Sequence, residues 1–357
     1  MCTTPVGKML GLLSSSVILG TLVLASSALS QQNSTSPGGT KIGKYAGEFI
    51  AIGIGGRALG LGGAYVALAN DVTAGYWNPA GLSTMMYPQV SLMHDERFDG
   101  SVNYDYAAVA LPVGASATFA VSAIRLGVDN IPDDREAWVD ANHNGLPDGD
   151  EINYSKIHFY NAADWALYFS YAKRGSERFS YGANVKLIRE VLGDTSATGI
   201  GFDLAGRYLL ADRLVLGANV QDVTTTLVAW NDGTNELISP TLKIGSVYLI
   251  DAFGGRFAPA VDVDIRFENR RSASNAHLGA VSFDFHSGIE FDFHDVVALR
   301  AGYSDIGSLN VGTGIHLPKF NIDYSFAKLD ATDQIGNTHR ISLTFTLEAE
   351  QFARSSD

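Results

Sequence analysis

Residues 52–86 read IGIGGRALGLGGAYVALANDVTAGYWNPAGLSTMM, with six glycines in the first twelve positions. Glycine accepts a positive φ and has no side chain, so a backbone this rich in glycine can turn sharply or lie flush against another surface. Further on, Asn78 and Pro79 predict the start of a helix, with Asn as the cap and Pro at the first helical position. Asp71 predicts a similar cap for a shorter turn over residues 72–77.

The order of residues in this segment carries a resemblance. The motif residues are Gly56, Arg57, Gly60, Gly62, Gly63, Asp71, Asn78, Pro79 and Gly81. Read as GGRALGLGGAYVALAND followed by YWNPAGL, the segment resembles the N-terminal signature of the PorV/PorQ-like family, within the wider FadL-like group of outer-membrane β-barrels. The resemblance implies an all-β fold, a 14-stranded antiparallel transmembrane barrel with residues 46–87 as a plug, or hatch, in its mouth.

The resemblance also implies a function. PorV/PorQ-like barrels are non-enzymatic partners of type IX protein secretion, where they handle exported cargo proteins at the cell surface together with the secretion translocon. The alternative comes from the FadL-like group, whose members are transporters or channels for hydrophobic small molecules and open a gap by moving the plug. A structural surface barrel without cargo is a third possibility.

The N-terminus predicts export. In residues 1–30, Lys8 is the one charge, residues 9–25 are apolar or small, and Ala28 and Ser30 fit a cleavage site. An uncleaved membrane anchor is the alternative, but the apolar run is slightly short for a span. Residues 31–45 are polar and predict a flexible leader. The only cysteine, Cys2, lies in the signal peptide, so the mature chain has no disulfide and no thiol.

Composition limits the partners and the location. The chain has 38 acidic and 25 basic residues, a net charge of −13 that argues against a nucleic-acid partner. After residue 30 no apolar run reaches the roughly 20 residues of a membrane helix. The chain is nevertheless 46% hydrophobic, so its apolar character comes from alternation. This combination is typical of a barrel in the bacterial outer membrane, surrounded by lipid.

From residue 88 onward, apolar and polar residues alternate. In residues 179–187, FSYGANVKL, every second residue is apolar, which predicts a strand with one apolar and one polar face. Fourteen such segments fall at 88–98, 101–112, 115–127, 161–174, 179–191, 197–210, 214–222, 240–249, 256–268, 280–293, 296–304, 309–317, 320–329 and 338–347. Residues 88–347 would therefore be the barrel, and residues 348–357 a C-terminal tail.

The connections between these segments favour an outer-membrane barrel. They are very short after the second, fourth, sixth, tenth and twelfth segments and longer after the third, seventh, ninth and thirteenth. Short turns on one side and long loops on the other are typical of outer-membrane barrels, whose short turns face the periplasm. An exported soluble β-sandwich explains the alternation, but not this one-sided loop pattern.

The polar face of the strands would line the lumen. It carries charges of both signs, at Lys186, Asp203, Arg207, Asp262, Asp264, Arg266, Glu290, Asp292, Arg300 and Asp323. An unpaired buried charge is costly, so we expect these groups to pair across strands or with the plug rather than to form a selectivity ring. Arg57 is a candidate partner for lumen carboxylates. Inward glycines at 182, 201, 288, 312 and 314 would leave room for the plug.

The loop over residues 128–160 contains a calcium motif. Residues 140–151, DANHNGLPDGDE, fit the twelve-residue pattern D-x-[DN]-x-[DN]-G-x5-E at every position. The predicted Ca²⁺ ligands are Asp140, Asn142, Asn144, the carbonyl of Leu146, Asp148 and Glu151. The flanks do not have a helical pattern, so we expect a structural site that stiffens an extracellular loop. The alternative is an acidic loop that is merely solvated.

The sequence predicts no enzyme. None of the eight histidines forms a metalloprotease motif, and no G-x-S-x-G nucleophile elbow is present. Ser287 follows His286 in a predicted strand, where neighbouring side chains point to opposite faces. These two side chains therefore cannot act together as nucleophile and base.

Overall fold

The alternating segments form antiparallel β-strands that pair in a closed ring. The structure, a computed structural model, describes residues 46–98, 100–141, 143–146, 151–268, 270–328 and 337–354. Thr40–Asp357 forms one compact unit, which contains the barrel. The other unit, Met1–Gly39, lies outside the described residues, as do the predicted signal peptide and leader over residues 1–45.

The described residues contain eighteen strands, of which fourteen close the barrel. In chain order they are β1 (Gln89–Arg97), β2 (Val102–Val113), β3 (Ala117–Asp133), β4 (His158–Arg174), β5 (Phe179–Leu192), β6 (Thr195–Ala211), β7 (Leu214–Gln221), β8 (Thr226–Trp230), β9 (Asn235–Ile238), β10 (Thr241–Tyr248), β11 (Ile250–Ala252), β12 (Gly255–Arg266), β13 (Ala276–Leu278), β14 (Val281–Phe293), β15 (Val297–Tyr303), β16 (Leu309–Leu317), β17 (Phe320–Lys328) and β18 (Asn337–Thr346). The ring consists of β1–β7, β10, β12 and β14–β18, and β18 pairs back onto β1.

The predicted fold class, a 14-stranded antiparallel barrel, is confirmed, and each predicted segment overlaps one strand of the ring. The four short strands were not predicted. They lie in the connections, where β8 and β9 form a hairpin that extends the sheet from β6.

The barrel is apolar outside and polar inside. In β5, Ser180, Asn184 and Lys186 are buried, whereas Phe179 and Leu187 are exposed. This is the reverse of a soluble protein, and it suits a wall with lipid outside and polar groups within.

The two ends of the barrel differ in their connections. At one end the connections are residues 114–116, 175–178, 212–213, 249–254, 294–296 and 318–319. The other end carries the longer connections, including residues 134–157, 222–240 and 267–280. We call the first end of the barrel the short-turn end and the second the long-loop end. In outer-membrane barrels the long loops face the outside of the cell.

Residues 46–88 precede β1, and we call them the inner segment. It contains single-turn helices at Glu48–Ala51, Gly56–Gly60 and Ala74–Trp77 and a 3₁₀ helix at Pro79–Thr84. Most of its side chains are buried. No helix in the part of the chain that the structure describes has the length and apolar character to cross a membrane.

Candidate functional site

The inner segment contacts barrel strands on different sides of the ring. The Gly56 amide donates to Ser342 Oγ in β18 over 2.8 Å, and Asn184 Nδ2 in β5 donates to the Gly75 carbonyl over 2.8 Å. Asp262 in β12 accepts two amides of the segment. Because β5, β12 and β18 lie apart around the ring and all three side chains point inward, the segment occupies the lumen.

Glycines let the backbones of the segment and the wall approach closely. A Cβ at Gly62, where φ is 65°, would stand 2.7 Å from backbone atoms of Tyr303. On the wall, a Cβ at Gly182 would stand 2.6 Å from the backbone of Pro79. Both Cβ positions clash, so glycine is required on each side of the contact.

The inward glycines of the barrel have two kinds of neighbour. Gly288 and Gly312 face the inner segment, as Gly182 does. Gly201 and Gly314 instead face side chains of the barrel wall. The expectation that inward glycines make room for the segment therefore holds for three of the five positions.

Arg57 connects the inner segment to the wall through a buried ion-pair network. Its Nε and Nη2 donate to the two oxygens of Glu290 over 2.9 and 2.8 Å. Arg300 donates to Glu290 over 2.6 Å and to Asp323 over 2.6 Å. Burial alone lowers the pKa of Arg57, but the Glu290 carboxylate raises it well above its usual value, so Arg57 stays charged. Arg57 thus has the lumen carboxylate partner expected from the sequence.

The turn after the glycines is held by two carboxylates. Asp262 accepts the amides of Tyr65 and Val66 over 2.7 and 2.8 Å. The Tyr65 hydroxyl donates to Asp71 over 2.9 Å and accepts from Arg57 over 3.1 Å. Burial raises the pKa of Tyr65 well above its usual value, so this hydroxyl keeps its proton and remains a donor.

Asn78 and Pro79 begin the 3₁₀ helix, as their order indicates. Asn78 Oδ1 accepts the Ala80 amide over 3.1 Å, and its Nδ2 donates to the Val66 carbonyl over 2.8 Å. Asp71 accepts the Thr73 amide over 2.8 Å, but it is not the helix cap, because the helix Ala74–Trp77 begins two residues later than predicted, with Thr73 at the N-cap. A Cβ at Gly81 would meet the carbonyl carbon of Ala69 at 3.0 Å.

Other inward charges pair with one another around the wall. Lys186 contacts Asp203 and Asp222 (3.1 and 2.7 Å), Lys243 contacts Asp264, Arg266 contacts Asp284 (3.4 Å), Arg340 contacts Asp95 (3.0 Å) and Asp292 contacts His316 (3.3 Å). Arg207 has no ion pair among the described residues. The inward charges therefore form pairs of opposite sign across strands, and not a selectivity ring of one sign.

At the long-loop end, a small cavity lies between the start of the inner segment and the wall. It has a volume of about 50 Å³, and its lining includes Ile50, Tyr76, Ile238, Lys186 and Asp222. A cavity that binds benzene has about 150 Å³. This space is therefore too small for an aromatic hydrocarbon while the inner segment stays in place.

The C-terminal tail holds the end of the inner segment at the short-turn end. After β18, Arg354 donates from its backbone amide to the Met86 carbonyl over 2.8 Å. Its side chain donates to the Met85 carbonyl over 2.8 Å and to Thr118 Oγ1 over 2.6 Å. This role of Arg354 cannot be predicted from the sequence, because nothing in a short polar tail indicates where it folds back.

The predicted calcium ligands are only partly described. Asp140, Asn144, Leu146 and Glu151 are described, whereas Asn142 and Asp148 lie outside the described residues. The Asp140 carboxylate accepts the amides of Asn144 and Gly145 over 3.1 and 3.0 Å.

The two ends of this loop lie together, since Trp138 pairs with Ile152. Glu151 Oε1 accepts the Ala141 amide over 3.0 Å. Within the described residues, no three His, Cys, Asp or Glu side chains are placed to share one metal ion. The calcium site stays a prediction.

Comparison with known proteins identifies the class of fold. A model of the uncharacterised protein family UPF0164 matches residues 23–112. No curated protein matches the sequence. Among solved structures, the chain is similar to the CymD monoaromatic hydrocarbon channel, with a TM-score of 0.59, 14% identity and coverage of 84% of this chain and 98% of that one.

Two further solved structures support the same fold. The toluene transporter TodX of P. putida has a TM-score of 0.56, with 13% identity and coverage of 84% of this chain and 99% of its own. A FadL homologue of Pseudomonas aeruginosa has a TM-score of 0.51, with 11% identity and coverage of 81% and 97%. The chain has the fold of FadL-like outer-membrane hydrocarbon channels.

These neighbours correct the predicted function. They are channels and transporters, not enzymes, and the interpretation of this chain as a partner of type IX secretion is wrong. The alternative, a FadL-like channel, agrees with them. The motif misled the functional prediction because residues such as Gly62, Asn78 and Gly81 pack the inner segment within itself and against the wall. Packing of this kind determines how a segment fits inside a barrel and does not depend on what the barrel transports or binds.

Proposed function

We propose that the protein is a FadL-like channel for hydrophobic small molecules across the bacterial outer membrane, and that the inner segment is a movable plug. The observation that carries the proposal is the fold shared with hydrocarbon channels over 98% of CymD and 99% of TodX. Export through a cleaved signal peptide at residues 1–30 belongs to this proposal.

The packing of the lumen supports a plug that moves. The contacts between the segment and the wall include hydrogen bonds and the Arg57–Glu290 ion pair, beside a buried apolar cluster in which Tyr76 packs on Tyr168 of β4. Water that follows the segment as it moves can solvate these groups, which lowers the cost of breaking them relative to a dry apolar contact. The cavity at the long-loop end is smaller than a benzene site, so an aromatic ligand could occupy this space only if the inner segment moved.

Two predictions from the sequence are kept as part of this proposal. The first is that the glycine-rich segment resembles the N-terminal plug segment of PorV/PorQ-like proteins. In the second, the loop at residues 128–160 is proposed to bind Ca²⁺ through Asp140, Asn142, Asn144, the carbonyl of Leu146, Asp148 and Glu151. The Glu151 carboxylate accepts the amide of Ala141, which follows Asp140. Extracellular calcium at millimolar levels fills even weak sites.

Uptake of the hydrophobic dye N-phenyl-1-naphthylamine by cells that produce the protein tests the proposed function. We expect faster dye uptake than in cells without the protein, and no faster uptake of a disaccharide. Equal dye uptake in the two strains would contradict a hydrophobic channel. Faster disaccharide uptake would instead indicate an open polar pore.

A further inference from the structure

Two acids, one half-buried and one buried, lie side by side on the inner face near the long-loop end. Asp164 in β4 and Glu190 in β5 are directly opposite each other in the strand register. Directly opposite residues have Cβ atoms about 5 Å apart on one face of the sheet. Both carboxylates can therefore reach one shared point in the lumen.

Among the residues that the structure describes, Glu190 has no basic partner for its charge. Only 8% of the residue is exposed, and its Oε1 has no hydrogen-bond partner. The charged side chains that act on it are Asp164 and Glu236, both acidic. The other buried acids of the wall described above each have a basic side chain or backbone amides as partners, as Glu290, Asp203 and Asp262 do. Since a buried carboxylate without a counter-charge is costly, Glu190 requires a cation or a proton.

Glu236 brings a third acid from the β8–β9 hairpin. It is opposite Val228, which is fully buried on the inner face. The same hairpin packs on the inner segment, because Ile238 lies against Gly47. A cation at Asp164 and Glu190 would therefore attract Glu236 and draw the hairpin toward the wall.

We propose that Asp164 and Glu190 bind a hydrated divalent cation, Ca²⁺ or Mg²⁺, at the long-loop end of the lumen. Hard divalent cations prefer carboxylate oxygens, and one or two carboxylates with several waters suffice for Mg²⁺. Among the described residues, no three acids are placed to share an ion. Glu236 would therefore attract the cation by its charge without coordinating it directly. The site is separate from the loop at residues 140–151 and does not rest on the proposed transport function.

Terbium luminescence tests this site, because Trp230 is a sensitiser built into it. Ala197 lies opposite both Glu190 and Trp230, so the three side chains form one row on the inner face. In the full-length protein carrying Glu151→Gln to weaken the loop site, we expect Tb³⁺ emission excited through tryptophan. Because Trp165 follows Asp164 in β4 and can also excite the ion, Trp230→Phe should lower this emission, whereas Trp138→Phe in the loop should leave it.

The ligands are tested in the same background. Glu190→Gln and Asp164→Asn each keep the shape of the side chain, and folding is checked by heat-dependent mobility on gels. We expect each to raise the Tb³⁺ concentration needed for half-maximal emission by about tenfold or more, since even outer-shell partners of a metal change affinity by about 10- to 100-fold. Millimolar Ca²⁺ or Mg²⁺ should displace Tb³⁺.

The proposal is overturned if both folded variants bind Tb³⁺ as the parent does, or if neither Ca²⁺ nor Mg²⁺ competes. The acids would then be neutralised by a proton. Glu136→Gln, in the exposed loop, is the matched control and should not change the emission.

Discussion

Replacing Arg57 with Met should release the inner segment while the barrel stays folded. Met keeps an unbranched apolar stem but removes the charge, the two hydrogen bonds to Glu290, of 2.9 and 2.8 Å, and the hydrogen bonds to Tyr65 and Asn70. The side chains of Arg57 and Glu290 are 21% and 5% exposed, so the pair is largely shielded from water. Glu290 keeps Arg300 at 2.6 Å, so its charge is not left unpaired.

The magnitude follows from these contacts. Breaking a buried pair costs about 3 to 5 kcal/mol when the remaining charge is unpaired. Because Arg300 still neutralises Glu290, we expect about 2 to 3 kcal/mol, the contribution of charge-assisted hydrogen bonds alone. At 1.4 kcal/mol for each factor of ten, the opening of the segment becomes about 30- to 140-fold more frequent.

Hydrogen exchange measured by mass spectrometry checks this value. Amides of residues 57–70, including those of Tyr65 and Val66, should exchange faster by this factor, while amides of β5 do not change. Arg256→Met is the matched control, because Arg256 pairs with Asp251 over 3.0 Å at the surface, with exposures of 59% and 53%. Equal exchange over residues 57–70 in the two variants would refute the role of the ion pair.

Three further predictions concern the inner segment and the loop. Gly81→Ala places a Cβ against the Ala69 carbonyl, so the segment should exchange faster while the heat-dependent gel mobility of the barrel is kept; equal loss of both would contradict it. Glu151→Gln should abolish protection of the loop from protease by Ca²⁺, and Glu136→Gln should not; unchanged protection would remove the calcium assignment. Arg354→Ala should speed exchange at the end of the segment about tenfold, from roughly 1 to 2 kcal/mol of lost hydrogen bonds, and no change would show that the tail does not hold it.

The barrel could be predicted because its two signals are local. Alternation with period two specifies the face of every strand, and the lengths of the connections specify the two ends. The hairpin of β8 and β9 was missed because its strands have five and four residues within a long polar connection. These short strands are fixed by pairing, of β8 with β6 and of β9 with β8, which a single sequence does not display.

Pairing of Arg57 with a lumen carboxylate was predicted, but the individual ion pairs inside the lumen could not be, because they depend on register. Arg300 pairs with Glu290 since the two are opposite in β14 and β15, and Asp164 meets Glu190 for the same reason in β4 and β5. A shift of one residue would turn every side chain to the other face. The glycine-rich motif predicted close backbone packing, but the same packing serves any barrel with a segment inside it, so the motif could not identify the function.

A reversible lock on the inner segment tests the central claim, that this segment is the gate of a hydrophobic channel. A Cβ at Gly75 would stand 3.8 Å from the Cβ of Ser170 in β4, and disulfides have Cβ atoms about 3.8 Å apart. The chain has one native cysteine, Cys2, within the predicted signal peptide, so Gly75→Cys with Ser170→Cys gives one defined cross-link. Each single variant is a control.

The measurement is the rate of N-phenyl-1-naphthylamine uptake by cells that produce the double variant, before and after reduction. We predict uptake equal to that of cells without the protein while the disulfide is closed, and recovery to the rate of the single variants after reduction. Equal rates in the oxidised and reduced states, with the cross-link confirmed by mass spectrometry, would contradict a movable plug.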